Sequence, residues 1–237
     1  SNKAAFGGPL PEAVDVTIIG GGIVGVMTAW ALRKRGLSVL VCEKGRVAGE
    51  QSSRNWGWIR QQGRDYSELP IMMDTIRLWK DMDPKLLERI GFQQRGITYL
   101  ARNEKKLAEY EAWLDGAQRY GVDTRLMSRR ETEALLPNSA GWMGAITTPS
   151  DAMAEPFVAV PALAQAAVED GVMIREGCAV RSLDVAGGQV TGVMTEAGLV
   201  RCERVVVAAG AWSSLFLAAH GVRIQQLGVV SSEVSTD

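Results

Sequence analysis

The sequence predicts an α/β fold, a central parallel sheet with crossover helices, interrupted by an inserted segment of α+β texture. Three observations predict it. Val14 to Gly20, a short β-branched run, and Leu37 to Cys42 fit fully buried strands. Ile23 to Arg35, between them, has helix-forming character and stops at Gly36, a natural C-terminal glycine. Strand, helix and strand within about 30 residues make a parallel crossover unit.

Gly45 to Arg64 breaks that pattern. It carries Gly45, Gly49, Gly57 and Gly63 among Ser52, Ser53, Asn55 and two tryptophans. A connection of this length is usually functional or disordered, and the tryptophans favour functional. Tyr66 to Ile90 reads as helix, broken near Pro84. The texture then changes from Phe92 to Thr148. Gln93 to Ala101 is strand-like, and Glu104 to Tyr120 is a charged amphipathic helix. Ser128-Arg-Arg-Glu131 matches a capping box for a short helix ending before Pro137, and Trp142 to Thr147 is a further strand candidate.

Pro156 opens an alanine-rich helix that Gly171 stops. Val172 to Ile174, Ala179 to Val185, Gln189 to Thr195 and Leu199 to Ala208 read as strands, with Gly187-Gly188 a hairpin turn. Trp212 to Ala219 is a short helix, and Val222 to Val234 is expected to be mostly β. The expected division is therefore residues 1–90 as the first part of a nucleotide-binding domain, 91–150 as an inserted domain, 151–221 as the return, and 222–237 as re-entry into the insertion.

Composition narrows the function classes. The chain has 237 residues, 46% of them apolar and 22% charged, with a net charge of −1. That is an ordinary globular composition, and no basic excess points to nucleic acid or an anionic membrane surface. The longest apolar stretch, Val16 to Leu32, holds four glycines and falls short of a membrane span. Cys42, Cys178 and Cys202 are an odd set at unrelated spacings, which argues against a disulfide framework or a zinc site and for a reducing, cytoplasmic setting. Ser1 to Glu12 lacks the order of a secretory signal, and Ser1-Asn2 reads as an expression remnant.

Gly20-Gly-Gly22-Ile23-Val24-Gly25 is a G-x-G-x-x-G in the context the chemistry needs, after a strand and opening a helix. The first glycine permits the tight turn and the second lets a pyrophosphate approach the backbone. The third allows close helix–strand packing, while the helix N-terminus around Ile23 and Val24 supplies N–H donors and a positive dipole end. Glu43 ends the second strand, where a carboxylate accepts hydrogen bonds from ribose hydroxyls. It also repels a ribose 2′-phosphate, so NADP is disfavoured, an argument that Lys44 and Arg46 soften. NAD and FAD both fit the βαβ unit alone.

Gly20 to Gly25, Glu43-Lys44, Ser52-Ser-Arg-Asn-Trp-Gly57 and Val205-Val-Val-Ala-Ala-Gly-Ala-Trp-Ser213 together resemble the FAD-dependent D-amino acid oxidase family, which includes glycine oxidase, sarcosine oxidase and D-amino acid dehydrogenases. The resemblance runs from Asp15 onward and is most specific at its two ends. It implies a Rossmann-like FAD-binding domain with an inserted, incomplete α+β substrate domain. It implies FAD as cofactor and oxidation of a small amine or amino acid at its C–N bond to an imine, by hydride transfer to the flavin. By the same resemblance Ser52, Ser53, Asn55 and Gly57 run along the pyrophosphate and under the flavin ring, and Val180 meets the adenine. Ala209, Gly210 and Trp212 close over the ADP moiety, and Arg60 falls where some relatives place an arginine beside the flavin.

Each of these residues has a plainer reading as a loop, core or solvated residue, and they carry weight as an ordered set. His220, the only histidine, sits at a helix C-terminus where the dipole favours it. No serine triad, zinc cluster or histidine base can be drawn, so no metal is expected. Relatives continue further, through strands that complete the substrate pocket. The early end is read as a fragment, a truncated product or one subunit completed by a partner chain. Two other functions stay open on the sequence: a flavin-binding subunit dependent on a partner, and an NAD-dependent dehydrogenase.

Overall fold

The computed structural model describes residues 5–230. Its contacts divide the chain into two compact units, Ser1–Trp56 with Pro156–Asp237, and Gly57–Glu155.

In the first unit, β1 (Ala13–Ile19) runs into α1 (Ile23–Lys34), and Gly36 with φ 88° turns the chain back into β2 (Val39–Cys42). The second unit holds β3 (Trp58–Ile59), α2 (Leu69–Lys80), α3 (Pro84–Arg89), β4 (Ile97–Ala101), α4 (Glu104–Ala117), β5 (Arg125–Ser128), α5 (Arg129–Leu135), β6 (Gly144–Thr148) and β7 (Ala152–Met153). The chain then returns to the first unit with α6 (Pro156–Glu169), β8 (Met173–Arg175), β9 (Val180–Ala186), β10 (Gln189–Thr195), β11 (Gly198–Val207) and α7 (Ser213–Ala218).

The first unit is built on a six-stranded sheet in the order β8-β2-β1-β11-β10-β9. β8, β2, β1 and β11 are parallel, with Thr17 opposite Leu40 on one side and Val205 on the other. β11, β10 and β9 continue the sheet as an antiparallel meander. All four residues of β2 are buried. This is the near-continuous apolar signature of a strand covered on both faces.

α1 and α6 pack together, and Gly25, Val26 and Ala29 on one and Ala159, Leu163 and Ala167 on the other are buried. The indole of Trp30 donates to the Asp170 carboxylate at 2.5 Å. Full burial of a side chain such as Leu163 contributes about 1.5–3 kcal/mol. Cys42, Cys178 and Cys202, unrelated in spacing, meet in one core cluster with Val14, Leu40, Val193 and Val200, all three as free thiols. Burial and the neighbouring Cys178 push the Cys42 thiol far up, so it behaves as a small hydrophobe.

The second unit has a three-stranded antiparallel sheet, β4-β6-β5, and a two-stranded β3-β7 pair. The capping box at α5 forms as expected, Ser128 and Glu131 satisfying each other's main chain. The unit begins at Gly57, earlier than the change of texture near residue 91 suggests. The reason is packing: Leu69 on α2 is buried against Ala117 and Val122, and Tyr66 stacks on Trp113, whose indole donates to the Arg64 carbonyl at 2.8 Å. These contacts tie residues 64–80 to the insertion.

The β expectation for Val222 to Val234 fails over its described part. Residues 222–230 form no strand and stand in solvent, with Leu227, Val229 and Val230 exposed by 87%, 80% and 100%. Among the described residues no strand edge pairs with them to supply ladder hydrogen bonds. Residues 231–234 lie outside the described residues. No described helix is long and apolar enough to cross a membrane.

Candidate functional site

The carboxyl ends of β1, β2 and β11 open on a cavity of about 710 Å³ within the first unit. That is the position where open α/β sheets bind ligands, and the volume suits a nucleotide-sized one.

The glycine-rich turn forms its floor. Gly20 has φ 112°, and a Cβ there would lie 2.4 Å from the Ala208 carbonyl oxygen. A Cβ on Gly25 would lie 1.9 Å from the Gly20 oxygen, so this position tolerates no side chain. Gly22 caps α1 in extended backbone, and its side of the turn meets the Ser52 hydroxyl. α1 has no acidic residue in its first turn and carries Arg33 and Lys34 in its last. Its positive end is therefore free to meet an anion while its negative end is compensated.

Glu43 is 8% exposed, and both its oxygens serve the backbone. One accepts from the Gly21 N–H at 2.8 Å and the other from the Gly45 N–H at 2.7 Å. The carboxylate thus fixes the turn and the loop after β2. Each oxygen keeps a lone pair for a ribose hydroxyl.

Ser52, in a 3-10 turn over Gln51–Ser53, accepts from the Ile23 N–H at 2.9 Å and so docks the serine-rich loop on the start of α1. Lys44 reaches across to the late turn. Its ammonium lies 2.9 Å from the Glu50 carboxylate and 4.0 Å from the centre of the Trp212 ring. That ammonium holds the Glu50 carboxyl below the usual carboxylate range.

Of the expected residues, Gly20, Gly22, Ile23, Val24, Glu43, Lys44, Ser52, Val180, Ala209, Gly210 and Trp212 line this one cavity. Gly25 packs behind it. Ser53, Asn55 and Gly57 are not in its lining. Ser53 donates to the Glu50 carbonyl at 3.2 Å, and the Asn55 amide donates to the Gln51 and Ser52 carbonyls at 3.0 and 3.1 Å, so both brace the loop from within.

Arg60 belongs to the second unit. It donates to the Gln62 carbonyl and sits 5.9 Å from the centre of the Tyr99 ring. Ala48, Gly49 and Arg181 also line the cavity; in the sequence Arg181 is marked only by following Val180, and Ala48 and Gly49 only by lying in the loop after Glu43. His220 lies in the turn just past α7, and its Nε2 accepts from the Leu183 N–H at 3.3 Å, a structural contact. Among the described residues no cluster of three or more metal-ligating side chains occurs.

Residues 15–236 match the family model described as DAO, FAD dependent oxidoreductase. Mouse mitochondrial sarcosine dehydrogenase is 28% identical over 97% of this chain and 26% of its own length. The sarcosine oxidase subunit beta of an Arthrobacter species is 29% identical over 90% of this chain and 55% of its own. Among solved structures, L-amino acid deaminase from Proteus myxofaciens superposes with a TM-score of 0.87 at 34% identity, over 94% of this chain and 52% of that one. The chain thus spans between about a quarter and about half the length of these relatives.

Proposed function

The chain belongs to the DAO family of FAD-dependent oxidoreductases, and on that premise we propose that its cavity holds the ADP half of FAD in an enzyme that oxidises the C–N bond of an amino acid or N-alkyl amino acid. FAD as the family's cofactor sets aside the NAD reading that the βαβ unit alone left open.

The observation that carries the proposal is the convergence on one cavity of Gly20 and Gly22 of the glycine-rich turn, the Glu43 carboxylate and the Ala209–Trp212 turn. Backbone amides at the start of α1 receive the pyrophosphate. Glu43 orients the ribose, and Trp212 with Lys44 covers the adenosine end. The chemistry FAD supplies when bound is acceptance of a hydride, which turns an amine C–N bond into an imine that water hydrolyses. By their names these relatives act on sarcosine and on L-amino acids, and this supports the substrate class.

Arg60, together with Tyr99, is offered as a substrate-side group of the second unit, the start of a substrate domain. Three buried free thiols fit a reducing cytoplasm. The reading as one subunit of a larger enzyme draws support from the subunit beta relative.

Anaerobic mixing of the FAD-loaded protein with a panel of D- and L-amino acids, glycine and sarcosine tests the proposal. Bleaching of the flavin by one class is expected. A flavin that stays oxidised with every member defeats the amine-oxidation reading.

A further inference from the structure

We propose that Glu176 is a positioning residue through which the N-terminal segment, Ala5 to Pro9, holds the cofactor loop and sets how tightly FAD is retained; the inference rests on the reading that FAD occupies the cavity described above. Glu176 is half-buried and does not line that cavity. Its two carboxylate oxygens gather main chain from two segments remote in sequence. Oε1 accepts from the Val47 N–H at 2.8 Å. Oε2 accepts from the Ala5 N–H at 2.7 Å and from the Phe6 N–H at 3.3 Å. The Glu176 N–H in turn donates to the Phe6 carbonyl at 3.0 Å, and the Arg175 guanidinium donates twice to the Pro9 carbonyl, at 2.9 and 2.7 Å.

The far end of this chain of contacts is the cavity wall. Ala48 follows Val47 and is the one described non-glycine residue with positive φ, at 57°. A residue with a Cβ persists there only where its surroundings hold it. The Ala48 N–H donates to the Gly21 carbonyl at 3.0 Å, and Ala48 and Gly49 face the cavity.

Glu43, by contrast, is tied down without Glu176's side chain. Its N–H donates to the Arg175 carbonyl and its carbonyl accepts from the Cys178 N–H, each at 2.9 Å. Loss of the Glu176 carboxylate therefore takes away the acceptor of the Val47 N–H beside Ala48 and leaves the main-chain bonds of Glu43 in place.

The test compares Glu176→Ala, Glu176→Gln, Phe6→Ala and the double variant Phe6→Ala/Glu176→Ala with the wild type. Three quantities are read: amide exchange at Val47 and Ala48 in the apoprotein, FAD affinity and release by flavin fluorescence, and apoprotein melting. Glu176→Ala is expected to speed exchange at both amides and to weaken FAD binding roughly tenfold, mostly through faster release. Glu176→Gln keeps one acceptor and recovers part of the loss. Phe6→Ala keeps the main-chain bonds to Glu176 and removes the buried ring that seats the segment, so it acts in the same direction with a smaller effect, and the double variant is no worse than Glu176→Ala alone.

FAD affinity unchanged in Glu176→Ala overturns the inference. So do effects of Phe6→Ala and Glu176→Ala that multiply as if independent, or an affinity loss that follows melting while exchange at Val47 and Ala48 stays as in wild type. A wild-type chain that binds no FAD overturns the cofactor reading and this inference together; a wild type that binds FAD, with variants that bind it equally, overturns this inference alone.

Discussion

The two units solve opposite problems with their buried polar groups. In the first, the cavity wall is made of main chain: N–H groups at the start of α1, glycines that keep the wall bare, and Glu43 bonded to Gly21 and Gly45. In the second, the polar groups are side chains sealed inside. Asp151 is fully buried and accepts from the Gln61 N–H at 2.7 Å and the Gln62 N–H at 3.2 Å. The Gln62 side chain accepts from the Thr148 hydroxyl at 2.9 Å, and Thr148 shares a 2.6 Å hydrogen bond with Thr124. A main-chain wall leaves donors for a ligand; a buried side-chain network specifies how its own unit packs.

The sharpest way to break the first arrangement is Gly25→Ala. Its Cβ would meet backbone at 1.9 Å, which no rotamer can relieve. A loss of about 3 kcal/mol or more, with loss of FAD binding, is expected in chemical denaturation and flavin titration.

Asp151→Ala breaks the second arrangement. It strands two buried N–H groups and costs about 2–4 kcal/mol by the same denaturation measurement, with melting localised to Gly57–Glu155 by amide exchange. The same carboxyl carries a pH signature. Burial pushes it above its ordinary value of 3.8, against the opposing pull of its backbone hydrogen bonds. The folded state therefore holds this proton more tightly than the unfolded chain. The stability it contributes is present in acid and is lost as pH rises through the folded value. The difference in urea midpoint between wild type and Asp151→Asn is expected to change in that direction above about pH 4; a difference that is flat with pH contradicts it.

Glu43→Ala leaves the Gly21 and Gly45 amides without their acceptor and is expected to cost about 2 kcal/mol of stability, with FAD affinity reduced at least tenfold. The smallest expected effect is Lys44→Met. Its exposed pair with Glu50 and its contact with Trp212 contribute together about 1 kcal/mol or less, read as a modest, salt-sensitive change in FAD affinity.

The same contrast explains what could be read from sequence. The cradle is legible because its parts are local: a tight turn at Gly20, a helix opening at Ile23 and an acid ending β2 lie at spacings fixed by one βαβ unit. The capping box at Ser128 and the stop at Gly36 are legible for the same reason. Order along the loop after Glu43 does not tell that Arg60 falls in the second unit while Asn55 stays in the first. The meeting of Cys42, Cys178 and Cys202, the seating of Asp151 on Gln61 and Gln62, and the reach of Glu176 to Ala5 and Val47 depend on segments distant in sequence. No local period or spacing encodes them. Val222 to Val230 shows the converse: β propensity alone does not make a strand where, among the described residues, no edge pairs with it.

Titration of the apoprotein with FAD, followed by competition with ADP and separately with FMN, tests the cradle most directly. FAD is expected to bind, ADP to displace it, and FMN to leave it in place, because the cavity between the glycine turn, Glu43 and Trp212 receives the ADP half. Displacement by FMN and not by ADP, or no binding of FAD at all, would contradict it.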